Sequence, residues 1–563
     1  MSRGIGSLGQ RYAPLLVLAA IQLVIIVVAP SRGADQDTSA LAPLPGQEGP
    51  LVPGGPQGSA TPGAGGVPTT GSGPGSTPGV SNPGSGPAGY ISSDKSKCAP
   101  GGVLQQRVSR ISPQCVGRWV GNNGGSTYQG VTSTTIRVVF VRTRLPQGFE
   151  PIFVQGGLGT TREQDEAHIG WWAKFYEKHY EWYGRKVEWI TTELACDAAD
   201  PNFVGCARQQ ARVIVKTYKP FIVFSHTISV PEFWDEMTRL KVINMGGFHN
   251  TARWNLAHRP YHWDVFADGT RIGRNLASYW CQRMAGKNAS LAGDPTMRPK
   301  PRKLGVLVEQ LVGSEGVFPE VARDFSKLIS GGTCGSASTK PVLVFYSGDI
   351  QRATDEMTAA TQALIDEDVT TVTCLCTALT PIFMTQAMDD QQYFPEHLIA
   401  GSGSMDIDLF GRLYTQSQWK NAFGISYFTT FDNGYSDYDQ VRQWRDVGAP
   451  GEPCKPCGGY WLFMDQIAYM LQWAGPHPTP LSLEAGAFQA PAIGGWIKSK
   501  GDPTMPLIDF APNDYTGIDD AKQVYWSATK RSGLDGQLGA YFEVDGAHRY
   551  VIGAWTTGQP KQP

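Results

Sequence analysis

"GVTSTTIRVVFVRT" (Gly130–Thr143) is the first stretch that reads as folded protein. Thr134 to Val141 is β-branched and apolar, and Gly130 and Pro146 bound it, which predicts a buried strand. Next comes "TTREQDEAHIGWWAKFYEKHYEWYG" (Thr160–Gly184). Thr160 or Thr161, followed three residues later by Glu163 or Gln164, makes a capping box. Ile169, Trp172, Tyr176, Tyr180 and Tyr183 recur at helical spacing, and Gly184 ends the run.

The pattern then alternates. "KVEWITTE", "KPFIVFS" and "KVINMGG" read as strands, with the helices "FVGCARQQARVIVKTY" and "VPEFWDEMTRL" between them. This predicts a parallel sheet with helices on both faces. The alternation restarts at "GTRIGRNLASYWCQRMAG" and passes through the strands "RKLGVLVEQ", "KPVLVFYSG", "VTTVTCLCT" and "HLIAGSG". The fold class is therefore α/β, with two Rossmann-like lobes built on parallel sheets. A long helix, "GGYWLFMDQIAYMLQWAG", follows. "GAYFEVDGAHRYVIGAW" predicts a closing hairpin turned at Asp545-Gly546.

Upstream lie three different zones. In residues 1–34, Arg3 and Arg11 precede "PLLVLAAIQLVIIVVAP" and then "APS" (Ala29–Ser31). This is the pattern of a signal peptide, and an uncleaved membrane anchor is the alternative. No cysteine follows the run to take a lipid. Either reading makes the rest exported, secreted or cell-surface, touching a membrane only through this segment. Residues 35–96 are Gly-, Pro- and Ser-rich with almost no branched apolar side chains, so a disordered linker is expected. Residues 97–126 form a lead-in with its own cysteine pair.

Composition narrows the function. The 563 residues are 41 % hydrophobic and 17 % charged, with a formal net charge of -2 and no long basic run, which argues against nucleic-acid binding. Ten cysteines in an exported chain point to disulfides. Cys98–Cys115 and Cys196–Cys206 close short loops. Cys454 and Cys457 form "CKPC", which could be a redox site or half a metal site. With no second CxxC, a small structural disulfide is the expectation. Cys281, Cys334, Cys374 and Cys376 allow three pairings. Cys374 and Cys376 face one side of a predicted strand, so different partners are expected for them.

"GVTSTTIRVVFV", "GRKVEWITTE", "CDAADPNFVGCARQQARVIV", "KPFIVFS" and "KLGVLVEQLVGSEG" come in an order that resembles type I periplasmic solute-binding proteins. The branch it is most similar to is the leucine/isoleucine/valine-binding proteins of ABC importers, over roughly Thr127 to Thr557. The resemblance implies two lobes joined by a three-strand hinge and closing on a small molecule. Lobe one would be 127–264 and 425–530. Lobe two would be 265–424 and 531–557. It also implies an ABC permease as partner, with no cofactor, no metal and no enzymatic reaction. A tethered extracellular sensor using the same cleft is the alternative.

Ligands of open parallel sheets sit beyond the carboxyl ends of the strands. In lobe one that selects Thr160, Ser225, Thr227, Ser229, Gly246, Gly247 and Phe248. Ser229 with Glu232 also reads as a helix cap, and the two glycines also suit a plain tight turn. In lobe two it selects Ser314, Glu315, Thr377 and Gly403. Here the chain departs from the family. Gly313 and Thr377 stand where aromatic contacts are usual. Gly403 stands where an acid usually grips the ligand's ammonium group. Either Asp406, Glu315 or Asp432 substitutes, or the ligand is not an α-amino acid; the second is favoured, because a buried ammonium without an acceptor is costly. Tyr427 and Phe428 could add apolar walls, as could Phe248.

Other chemistry finds little support. His249, His258 and His262 are interrupted by Pro260, which opposes a zinc-binding helix there. "GLGTTR" lacks the lysine of a P-loop, and no GxSxG occurs. Asp389-Asp390 reads as a solvated helix face, and Asn288 begins a glycosylation sequon.

Overall fold

The computed structural model describes residues 89–563, apart from 144–153, 155–158, 197–201, 229, 248–249, 311–316, 350, 429–437, 456, 496–505 and 563. The expected signal or anchor and nearly all of the expected linker therefore lie outside the described residues. Among the described residues no helix is long and apolar enough to cross a membrane.

Tyr90–Ile91, inside the stretch expected to be a disordered linker, instead form β1, which pairs with β2 (Trp119–Val120) of the lead-in, and Cys98–Cys115 closes the ribbon. The opening stretch supplies β3 (Thr135–Thr143), buried along most of its length. α1 (Arg162–His179), β4 (Lys186–Leu194), α2 (Phe203–Tyr218), β5 (Ile222–Ser225), α3 (Pro231–Arg239), β6 (Ile243–Gly246), α4 (Ala252–Ala257) and β7 (His262–Trp263) follow. The sheet order is β4-β3-β5-β6-β7, all parallel. Thr161 caps α1, and Gln164 returns the bond to its backbone, as the capping box predicts. The cap expected at Ser229 is corrected: α3 begins at Pro231 with Val230 as the cap residue, because proline takes the first helical position and needs no N–H acceptor there.

The second unit runs α5 (Gly269–Tyr279), β8 (Leu304–Gln310), α6 (Phe318–Ser330), β9 (Val342–Ser347), α7 (Ala353–Asp366), β10 (Thr371–Leu375), α8 (Thr380–Asp390), β11 (Glu396–Ile399) and β12 (Phe423–Ser426). The strands β9-β8-β10-β11-β12 are parallel. β13 (Asp520–Arg531) adds antiparallel to β12. Between β12 and β13, α9 (Asp439–Asp446), α10 (Gly458–Trp473) and α11 (Pro480–Gln489) return to the first sheet. Their Trp444, Tyr460, Phe463 and Leu483 share its core with Trp172 and Phe224. The return expected over 425–530 is thus divided: the helices join the first sheet, while β12 and β13 belong to the second.

Two expectations are corrected here. β14 (Leu538–Glu543) and β15 (Arg549–Val551) do not pair with each other; both pair with β13, end to end along one edge. Asp545 and Gly546 still take positive φ, and they form a jog in that edge rather than a hairpin tip. Cys374 and Cys376 are bonded together, and Cys281 joins Cys334. Facing one side of a strand sets the two sulfurs side by side, and their Cα atoms, 5.4 Å apart, are within bridging range. Cys196–Cys206 and Cys454–Cys457 close as expected.

Candidate functional site

Three chain crossings connect the two sheets, all along the edge where the parallel strands end. The first, 264–268, leaves β7. The second leaves β12 at Ser426. The third, 507–519, feeds β13, whose Lys522 stands opposite Ser426. The first and third run side by side: Asp264 N–H donates to the Tyr515 carbonyl (2.9 Å), and Gly517 N–H donates to the Asp264 carbonyl (2.8 Å). Phe266 of the first crossing meets Phe428 of the second at 5.6 Å. Thr516 Oγ1 donates to Asp268 Oδ2 (2.8 Å), and Arg271 pairs with Asp514 and Asp519. The carboxyl edges of both sheets are therefore anchored to the same three-stranded junction.

On the first sheet the structure gathers several sequence-selected residues. The hydroxyls of Thr143 and Thr227 lie 2.8 Å apart, and Thr227 N–H donates to Ser225 Oγ (3.2 Å). The Thr160 carbonyl accepts from Arg142 Nη2 (2.9 Å). Arg142, at the end of β3, also meets Asp165 (3.1 Å) and Glu193 (2.8 Å). Burial lifts the Asp165 carboxyl above its ordinary range despite that partner. His226 follows β5, its ring against Phe140 and Tyr460, and burial pushes its pKa down to about 4. Its ring faces the aromatic core under α10. Gly246 sits at φ +145°, where an added Cβ would lie 2.3 Å from the Ser225 carbonyl oxygen. Close packing of β6 on β5 accounts for this glycine. Gly247, at φ +90°, would meet the Asn250 amide at 2.3 Å.

On the second sheet Thr377 is tied to Glu309 at the end of β8. Thr377 N–H (2.7 Å), Thr377 Oγ1 (3.1 Å), Thr380 Oγ1 (3.1 Å) and Tyr346 Oη (3.2 Å) all donate to one carboxylate oxygen. They border a cavity of about 60 Å³ that Asp349 and Phe383 also line. A larger hollow of about 350 Å³ lies between α5 and α6, flanked by helices rather than strand ends. At Gly403, φ is +62° and a Cβ would stand 2.0 Å from the Cys376 carbonyl oxygen, so the backbone excludes any side chain. Asp406 is buried near Ser426 and Tyr414, and burial raises its pKa to about 6. Tyr427 is buried across Gly401. Ser229, Phe248, His249, Gly313, Ser314, Glu315 and Asp432 lie outside the described residues.

Sequence reasoning missed Arg142, Asp165, His226 and Glu309. Their shared signal is a charge or imidazole at, or opposite, the last residue of an apolar run. His258 and His262 are held by structural partners. The first stacks on Trp254 at 3.7 Å, and the second is buried with Asn244 (2.5 Å). Among the described residues, the one group that could hold a metal ion is His168 with Cys454 and Cys457.

No family model and no curated sequence matches the chain. Several solved structures are similar to it, and they are solute-binding proteins of ABC transporters. One is from Rhodopseudomonas palustris BisB5 in complex with 3,4-dihydroxy benzoic acid, 12 % identical, covering 74 % of this chain and 98 % of that one, TM-score 0.48. A second is an ABC transporter substrate binding protein from Aeropyrum pernix, 14 % identical, covering 74 % and 98 %, TM-score 0.49. A third is the branched-chain amino acid transporter substrate binding protein LivJ from Streptococcus pneumoniae in complex with isoleucine, 11 % identical, covering 73 % and 100 %, TM-score 0.47.

Proposed function

We propose that this chain is an extracytoplasmic solute-binding protein. It takes up a small molecule between the carboxyl edges of its two α/β lobes and presents the closed form to an ABC importer. The observation that carries the reading is the shared junction, in which Asp264 and Gly517 bond across two crossings beside the ends of β7 and β12. Two parallel sheets whose carboxyl edges meet at one hinge form a cleft where ligands of such sheets bind. No bond is made or broken. The work comes from the different affinities of open and closed forms for the solute.

The first lobe offers hydroxyls and backbone, from Thr143, Thr160, Ser225 and Thr227. The second offers Thr377 and the turn at Gly403. With no room for an acid at Gly403, the favoured solute brings no α-ammonium group, such as a carboxylate or a neutral amide; an α-amino acid would require Asp406, Glu315 or Asp432 in its place.

Thermal unfolding of the purified chain against branched-chain amino acids, amides, carboxylates and hydrophobic acids tests this. A solute at a hundredfold excess over its Kd adds about 2.7 kcal/mol. A midpoint shift with carboxylates or amides alone is expected. A shift with leucine removes the ligand class but keeps the receptor, and turnover of the bound compound removes both.

A further inference from the structure

Cys454 and Cys457 are not among the residues assigned to the solute, yet they are not isolated. They stand against His168 of α1, where Cys454 N–H donates to His168 Nε2 at 2.9 Å. His168 Nδ1 lies 2.6 Å from the Gln164 carbonyl oxygen. A carbonyl only accepts, so Nδ1 carries the proton and Nε2 holds the lone pair. The ring is pinned by stacking on Trp444 at 4.8 Å and by Trp172 at 5.9 Å. The two sulfurs and one imidazole nitrogen all lie within 4.8 Å of one another. Cys457 is buried at the cap position of α10, a helix of 16 residues, whereas Cys454 is half-buried.

We propose that reduction of the Cys454–Cys457 disulfide creates a metal site: the two thiolates and His168 Nε2 hold a zinc-class divalent ion, with water in the fourth position. Cysteines with two residues between them chelate one tetrahedral ion, and thiolate with imidazole is the donor set that zinc-class ions prefer. Ligating imidazoles are typically oriented by a carbonyl or carboxylate on the other ring nitrogen, which is the role of Gln164 here. The amino end of α10 favours thiolate over thiol at its cap.

The electrons balance as follows. A small dithiol gives two electrons and two protons; the Cys454–Cys457 S–S bond breaks to two thiols, and the dithiol closes to its own disulfide. The ion then displaces both thiol protons to solvent, and Nε2 exchanges the Cys454 N–H for the metal. The loop thus has two exclusive states, a disulfide with Nε2 capping an amide and a dithiolate–imidazole cage around an ion.

The test uses the full chain, reduced with dithiothreitol, freed of it without oxygen, and titrated with Co²⁺. The reduced chain is expected to take one ion per chain with thiolate charge-transfer absorption, which Zn²⁺ then abolishes. The oxidised chain takes none. Cys454→Ser/Cys457→Ser removes the absorption, and His168→Gln weakens binding about tenfold or more. No absorption from the reduced, folded chain overturns the proposal. So does absorption that survives in the double serine variant, or affinity unchanged by His168→Gln. Should reduction of the other disulfides unfold the chain, Cys457→Ser frees the Cys454 thiol with no reductant. It must then show a weaker cobalt complex with one thiolate, and its absence also overturns the proposal.

Discussion

At the scale of single residues, two positions make sharp predictions. Gly403 combines a left-handed backbone with a carbonyl 2.0 Å from where Cβ would be. Gly403→Ala is expected to cost at least about 2 kcal/mol in urea unfolding, through backbone strain and overpacking together. Asp465 of α10 is buried and bonded to Gln443 Nε2 at 2.7 Å. Burial first, and the neighbouring Asp439 second, push its pKa up from the model-compound 3.8 to about 8. Between those values the folded chain keeps a proton that the unfolded chain has lost, so this carboxyl makes stability fall as pH rises from about 4 to about 8. Asp465→Asn keeps the acceptor for Gln443 and removes the charge. Its unfolding midpoint is expected to exceed that of the parent at pH 8, with the gap closing toward pH 4. An equal gap at both pH values would show that the carboxyl does not titrate in this range.

At the scale of elements, the second sheet is knotted at its amino edge by one buried ion pair. Arg302 donates to both Glu396 oxygens at 2.7 and 2.9 Å, and both side chains are fully buried. Thr371 Oγ1 (2.7 Å) and Leu291 N–H (2.9 Å) bond the same carboxylate, joining β10, β11 and the loop before β8. Arg302→Ala strands a buried charge and is expected to cost about 3–5 kcal/mol, whereas Arg302→Met/Glu396→Leu should cost much less; chemical denaturation separates the two. The elements also show what the sequence made legible. Most of the buried parallel strands were readable because each is a short apolar run between turn residues, but β12 (Phe423–Ser426), only four residues with a central Gly424, was not. β7 was missed because it is two residues long, His262 and Trp263, beside Pro260. Pairing was the harder problem. The Asp545-Gly546 turn was visible, but which edge β14 and β15 would take depends on β13, a strand that no local pattern names as their common partner. In the site, hydroxyls and glycines after strands were readable from position alone. Arg142 and Glu309 were not, because their roles depend on partners 18 to 71 residues away.

For the whole molecule, the proposed function makes the junction of crossings the hinge on which closure depends. Gly517 has no space for a side chain, since a Cβ would stand 2.4 Å from the Val265 carbonyl oxygen. Gly517→Val is therefore expected to part the first and third crossings while leaving both sheets folded. Small-angle scattering should show the parent contracting when the stabilising solute is added. The variant should contract less and bind about tenfold or more weakly, a loss of about 1.4 kcal/mol. Equal contraction in both would mean that the pairing of the crossings does not control closure.

The lead-in has a mechanical meaning. Gln105 is locked to the His179 carbonyl (2.6 Å) and to Gln472 (2.9 Å), Arg110 to Asp439 (2.8 Å), and Lys97 to the Tyr180 carbonyl (2.8 Å). These partners lie on or beside α1, α9 and α10, all packed on the first sheet. A pull applied at Tyr90 is thus passed to those helices before it reaches the sheet. The second unit meets this clamped base outside the crossings as well, where Leu534 packs on Val441 of α9.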